Sequence, residues 1–181
     1  MEYSMKLHAN TRDFTDLIRL TATHFNILPE FVEKDYWIQE YDLQPFSLNI
    51  LDKRQTMLEK LVSLIRFSFA ENPSIELAKK IRHFYDLYYL ANDDECAKYL
   101  DSSKFRKDLS ELFIHDQEEF DEPQGWKIKT IKDSSLINDF SIIWANLRST
   151  YQSELTPLAF VKIPEEKLIE RSFERMIEKV N

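Results

Sequence analysis

The residues best suited to chemistry lie in a basic block, residues 53–90, of an otherwise acidic chain. The block holds seven Lys or Arg and four Asp or Glu residues, a net charge of +3, whereas the whole chain of 181 residues carries −8. Arg82 and His83 precede Asp86 by four and three residues, so that on a helix Arg82 could pair with Asp86 and His83 could join them. Such a block is the best place in the chain to look for phosphate contacts. The alternative is a pair of amphipathic helices whose Lys and Arg residues face water.

Other groups of reactive residue types carry weaker signals. The single cysteine, Cys96, allows neither an internal disulfide nor a zinc cluster, and the four His residues lack the spacing of metal ligands. The only glycine, Gly125, excludes a phosphate-binding loop built on several glycines. We interpret three acid-x-acid triplets as solvated faces, and the sequence therefore predicts no metal site. These triplets are Glu33-Lys34-Asp35, Asp93-Asp94-Glu95 and Asp116-Gln117-Glu118.

Apolar residues recur at three- and four-residue intervals through most of the chain, which predicts a mainly α, multi-helix fold. We expect a single helical domain of residues 1–181, and a long helix from Ser74 to Leu90 within it. At most a short β element is expected, at residues 46–51, which alternate apolar and polar, and near residues 126–131. The helical framework is divided into residues 1–41, 46–115 and 134–181.

The chain has no run of about eighteen apolar residues and no apolar segment at its start. We therefore expect a cytoplasmic protein that does not enter a membrane. The acidic total argues against generic binding to nucleic acid.

Two stretches are more specific than a helical pattern requires. The first is residues 28–38 (LPEFVEKDYWI), and the second is residues 54–61 (RQTMLEKL) followed by residues 81–90 (IRHFYDLYYL). In this order they resemble the AbiEii/AbiGii toxin family of nucleotidyltransferases, which carries P-x-x-V-E-K-D-Y-W, R-T-F-W-E-K-L and R-H-Y-Y-D-L-Y segments. The last helix, which follows Pro164, is similar to the closing segment of the family.

The sequence departs from the family pattern where the catalytic core is expected. Family members carry a Gly-Ser pair and then an acid-x-acid pair between the two stretches, since small residues admit the triphosphate and paired carboxylates hold Mg²⁺. Here only residues 39–45 separate the two regions, and no Gly-Ser pair occurs anywhere. The resemblance therefore implies a helical framework that lacks its metal-and-triphosphate module.

The resemblance also implies roles for residues of the basic block. In the family a Lys of the E-K-L helix and an Asp of the R-H-Y-Y-D-L helix face the nucleotide, which makes Lys60 and Asp86 the expected catalytic pair. Lys60 would neutralise phosphate charge, while Asp86 would orient Lys60, accept a proton or hold a ribose hydroxyl. Arg82 and His83 would bind the nucleotide together with Lys60. The alternative is an ordinary Arg82–Asp86 helix pair, with Lys60 solvated beside Glu59.

Two functions of different classes follow. The first is a truncated relative of an AbiEii-type toxin that has no cofactor of its own and cannot transfer a nucleotide alone. The resemblance implies Mg²⁺ and a nucleoside triphosphate for intact members, which act on RNA, in some cases tRNA. The second is a non-catalytic helical module that binds an antitoxin or another copy of itself. A gene product without a present function is a third alternative, which the sequence does not separate from the second.

Overall fold

The computed structural model describes residues 7–40, 52–156 and 163–180. The elements in these ranges are α-helices and short 3-10 turns, without a strand, which confirms the mainly α prediction. Contacts group the chain into two compact units, Met1–Asn49 and Ile50–Asn181. Whether both units belong to one domain, as the sequence predicts, stays a prediction.

The first unit contains a short 3-10 turn followed by two helices. These elements are the turn Leu7–Ala9, α1 (Thr11–Phe25) and α2 (Pro29–Glu40). Asn10 caps α1, because its side chain accepts a hydrogen bond from the backbone N–H of Asp13 at 3.3 Å. The ring of Phe14 lies with its centroid 4.8 Å from that of Tyr36 and 5.7 Å from that of Trp37. The aromatic side chains of α1 and α2 therefore pack against each other.

The second unit is built around α3, which contacts α4, α5, α6, α7 and α8. Its apolar residues recur at helical spacing, and Met57, Leu61, Leu64 and Ile65 are fully buried. The described elements of this unit are α3 (Lys53–Phe67), α4 (Pro73–Ala78), α5 (Ile81–Ala91), α6 (Asp94–Leu100), α7 (Ser103–Glu119), the 3-10 turns Trp126–Ile128 and Ile131–Asp133, α8 (Ser135–Asn138), α9 (Phe140–Leu155) and α10 (Glu166–Val180).

An aromatic cluster joins α5, α9 and α10 in the core of this unit. The ring centroid of Phe84 lies 5.4 Å from that of Trp144 and 5.0 Å from that of Phe173, and Phe140 packs 4.7 Å from Phe173. All four side chains are at most 5% exposed. The cluster fixes α5, the helix that carries His83 and Asp86, against the rest of the unit.

The single helix expected from Ser74 to Leu90 is wrong, because the chain bends at Lys79 and Lys80 between α4 and α5. Lys80 leaves the helical conformation, with φ −113° and ψ 20°. The bend lets α4 pack on α9 while α5 packs on α3 and α10. Tertiary packing thus interrupts a helix that local periodicity favours.

The β element expected near residues 126–131 is also wrong, since this segment contains the two 3-10 turns. Gly125 precedes the first turn and has φ 81°. Trp126 is fully buried, and its Nε1–H donates to the Phe120 carbonyl at 2.9 Å. The Gln117 side-chain amide donates to the carbonyls of Trp126 and Lys129, at 3.0 and 2.8 Å. A side chain of α7 therefore satisfies backbone groups that a partner strand would otherwise bind. The other expected β element, residues 46–51, lies outside the described residues.

Among the described helices, none is both long enough and apolar enough to cross a membrane.

Candidate functional site

The candidate site lies where α3 and α5 pack against each other. Both helices turn their apolar faces to the core, with Leu61 on α3 and Leu87 on α5 fully buried. This packing leaves Lys60 and Asp86 on the flanks of the helices. The Lys60 ammonium donates to Asp86 Oδ2 at 2.7 Å, and the two side chains are 23% and 38% exposed. Two residues that are 26 positions apart in sequence thus form a partly buried ion pair.

His83 lies beside this pair as a neutral imidazole. Burial, assisted by the nearby charges of Lys60 and Lys80, lowers the pKa of His83 to about 4, although the Asp86 carboxylate acts in the opposite direction. The Nδ1 atom of His83 is buried and has no hydrogen-bond partner in the described part of the chain. The site therefore contains a buried, uncharged ring nitrogen whose hydrogen-bonding capacity is unused among the described residues.

Lys80 is a member of this cluster that the sequence analysis missed. It occupies the bend before α5, where its ammonium lies 4.1 Å from the ring centroid of Phe67, a cation–π contact. Burial and the charge of Arg66 lower the pKa of Lys80. Lys80 lies two residues before Arg82 in the same basic block, and this position was the signal that could have identified it. The prediction of one continuous helix did not include the bend at which Lys80 lies close to His83.

Arg82 lies on α5, and its expected role in nucleotide binding stays a prediction. Its side chain is exposed, and among the described residues it forms no ion pair. The expected Arg82–Asp86 helix pair is therefore wrong, because Asp86 pairs across the helix–helix contact with Lys60 instead. The alternative of a solvated Lys60 is wrong for the same reason.

Two of the three acid-x-acid triplets are also more than solvated faces. Asp93 caps α6 through the backbone N–H groups of Glu95 and Cys96 and pairs with Lys53 at 2.8 Å. Asp116 is 18% exposed and lies 3.6 Å from Arg66 Nη1. Both carboxylates therefore have structural partners that the local sequence did not indicate.

Arg66 occupies an aromatic enclosure on the same helix as Lys60. Its Cζ atom lies 4.2, 4.9 and 5.7 Å from the ring centroids of Phe120, Phe67 and Trp126. The Nε and Nη1 atoms are buried without a hydrogen-bond partner among the described residues, and burial lowers the pKa of Arg66. The guanidinium is held by ring faces and by one distant carboxylate.

The side chains of the candidate site do not form a set of ligands that suits Mg²⁺. The site offers one carboxylate, Asp86, and the Lys60 ammonium already binds it. Across the described ranges no three His, Cys, Asp or Glu side chains converge on a point where an ion could bind. Mg²⁺ in phosphoryl chemistry is usually held by one or two carboxylates in addition to the phosphates, without a competing ammonium.

The chain is thus a helical protein whose candidate site is a basic cluster around one carboxylate. The family model described as nucleotidyl transferase AbiEii toxin, type IV toxin–antitoxin system, matches residues 13–179. The chain belongs to this family, as the sequence motifs predicted, and the membership indicates an antitoxin as a partner. No curated protein and no solved structure matches the chain.

Proposed function

We propose that Lys60, His83 and Asp86 form a nucleotide-phosphate site, and that the chain does not transfer the nucleotide without a further polypeptide. The observation that carries this proposal is the 2.7 Å contact between Lys60 Nζ and Asp86 Oδ2, beside a neutral His83. It supports binding more than catalysis, because it provides fixed donors for an anion and a single carboxylate.

Each group has a chemical part in binding. An ammonium has three N–H donors, and Asp86 uses one, so Lys60 retains donors for phosphate oxygens. The nearby charge of Lys80 also favours an anion at the site. Asp86 Oδ1 forms no hydrogen bond within the described residues and is available to a ribose hydroxyl.

Transfer requires more than these groups supply. In-line displacement on a triphosphate needs Mg²⁺ to bridge the phosphates, and carboxylates to hold the ion. We infer that the chain is a relative without its metal-holding module, and that this module, with tRNA as the acceptor, comes from another chain if transfer takes place.

The transfer half of the proposal is tested with the purified chain, Mg²⁺, tRNA and each α-³²P-labelled nucleoside triphosphate in turn. We expect no label in the tRNA, because one carboxylate engaged by Lys60 does not hold the metal. Label that the purified chain incorporates alone would refute this half of the proposal.

The binding half is tested by calorimetric titration of ATP into the chain and its variants. Lys60→Met should weaken binding about tenfold, the loss expected for one charge-assisted hydrogen bond. Lys104→Met is the matched control, because it also removes a helix lysine paired with an aspartate, Asp108, at 2.6 Å. Equal affinity of wild type and Lys60→Met, or an equal loss in the control, would contradict the assignment.

A binding module is the second candidate, and exposed apolar side chains favour it. Ile114 on α7 is 56% exposed and Ile128 is 87% exposed. Exposed apolar side chains of this kind favour association with an antitoxin or with a second copy of the chain. Light scattering over a concentration series tests self-association, and a strictly monomeric chain at high concentration would count against it.

A further inference from the structure

A groove of about 490 Å³ runs along α7, between this helix, residues 129–132 and the end of α10 at Val180. It includes none of the residues assigned above to nucleotide binding.

The floor of the groove follows one face of α7 and combines apolar with polar side chains. The α7 residues that line it have the spacing i, i+3, i+4, i+7, i+8 and i+11, which is a complete face of the helix. These residues are Arg106, Leu109, Ser110, Phe113, Ile114 and Gln117. Ile114 leaves more than half of its side chain in water, whereas Phe113 is only 4% exposed. The apolar part of this face is thus buried at Leu109 and Phe113 and uncovered at Ile114.

The rim of the groove is basic, in a protein whose net charge is −8. Arg106, Lys129 and Lys132 line it, and no acidic residue does. Within the described ranges none of the three forms an ion pair with a carboxylate, although ten other Lys and Arg residues do. Arg106 Nε donates to the Lys179 carbonyl at 3.0 Å, which orients the guanidinium, and its other N–H groups have no hydrogen-bond partner among the described residues.

We propose that this groove binds an acidic amphipathic segment of a partner protein. Carboxylates of the segment pair with Arg106, Lys129 and Lys132, and its apolar side chains cover Ile114. The lined stretch of α7, residues 106–117, extends about 17 Å at 1.5 Å per residue, which matches a helical segment of about eleven residues.

The floor favours a peptide over a nucleic acid. Single-stranded nucleic acids bind through bases that stack on exposed aromatic rings. The one aromatic residue of the lining, Phe113, is buried, and the exposed apolar surface is the branched side chain of Ile114.

The test uses a display library of random 12-residue peptides against the immobilised full chain. We expect the selected peptides to combine Asp or Glu with spaced Leu, Ile or Phe. In fluorescence anisotropy they should lose at least tenfold in affinity for the variant R106E/K129E/K132E. The matched control is K98E/K167E/R171E, which makes the same change of charge at exposed residues that form no ion pair in the described chain and lie outside the groove.

Four outcomes would overturn the proposal. These are no enriched peptides, enriched peptides that are neutral or basic, an equal loss of affinity in both triple variants, and competitive displacement of the peptide by a single-stranded RNA. A fifth, a concentration-dependent dimer that Ile114→Glu abolishes, would also overturn it, because a second copy of the chain would then occupy the groove. The nucleotide assays concern residues outside the groove. A negative result with the peptides therefore leaves the nucleotide proposal unaffected, and a negative result with ATP leaves the peptide proposal unaffected.

Discussion

The neutral His83 should make the stability of the second unit depend on pH. In the unfolded chain an imidazole binds a proton near its ordinary pKa of 6.5, whereas in the folded unit the pKa of His83 is about 4. Between these values the unfolded state binds more protons than the folded state. The free energy of unfolding therefore decreases as the pH falls from about 6.5 to about 4, and the His83 contribution is constant above and below this range.

The size of this effect follows from the lowered pKa. The gap between 6.5 and about 4 sets an upper limit of about 3.5 kcal/mol, at ~1.4 kcal/mol for each unit of pKa. His83 is only partly buried, so that solvent screens the neighbouring ammonium groups, and we expect about 1.5 kcal/mol. The charged groups that face it are Lys60 and Lys80, which oppose its protonation, and Asp86, which favours it.

The assay is urea unfolding followed by tryptophan fluorescence at several pH values. Trp37→Phe removes the one tryptophan of the first unit, so that Trp126 and Trp144, both fully buried, report on the second unit alone. His83→Gln cannot titrate and should gain about 1.5 kcal/mol relative to the parent between pH 7.5 and pH 4.5. His115→Gln, at an exposed position of α7, is the control and should follow the parent. Parallel stability curves for the parent and His83→Gln would refute the reasoning.

Three further predictions concern the thiol, the enclosed arginine and the anion site. Cys96 is fully buried, and burial raises its pKa to about 11, so disulfide reagents should react with it at least a hundredfold more slowly in the folded chain than in urea. Asp116→Ala and Arg66→Met should each cost about 2 kcal/mol in urea unfolding, and the double variant less than their sum, because either single change leaves a partly buried charge without its partner. A sulfate ion at Lys60 should raise the pKa of His83. Calorimetry should therefore show sulfate affinity rising on the order of tenfold from pH 7 to pH 5 in wild type but not in His83→Gln.

The fold could largely be predicted from the sequence because helical periodicity is a local property. The spacing of Leu61 and Leu64 on α3, and that of Phe84 and Leu87 on α5, corresponds to buried faces. The bend at Lys80 could not be predicted in this way, since it reflects the different packing partners of α4 and α5. The 3-10 turns after Gly125 could not be predicted either, because backbone carbonyls of this segment accept hydrogen bonds from Gln117, which lies on another element.

The candidate site could be predicted from the sequence only in part, because the sequence patterns are local. The resemblance to a known family led to Lys60 and Asp86, and the structure brings their side chains into contact, although their roles stay a prediction. Spacing alone suggested the wrong partner, Arg82, because a helix pattern identifies neighbours only along one helix. The enclosure of Arg66 by rings from α3 and from residues 120–126 could not be predicted, since nothing in the local sequence indicates which aromatic side chains meet.

The basic residues of the second unit differ in whether a carboxylate already pairs with them, and this difference separates the two proposed ligands. Lys60 and Arg66, on the flanks of α3, are partly buried and have carboxylates from other helices, so that any ligand there must compete with an existing partner. Arg106 and Lys129, at the groove, have no such partner among the described residues and stand beside uncovered apolar surface. A ligand at Lys60 must therefore replace or share Asp86, which favours the strong negative charge of a phosphate. A ligand at the groove needs only isolated carboxylates, but it must also cover Ile114, which a free nucleotide phosphate does not do.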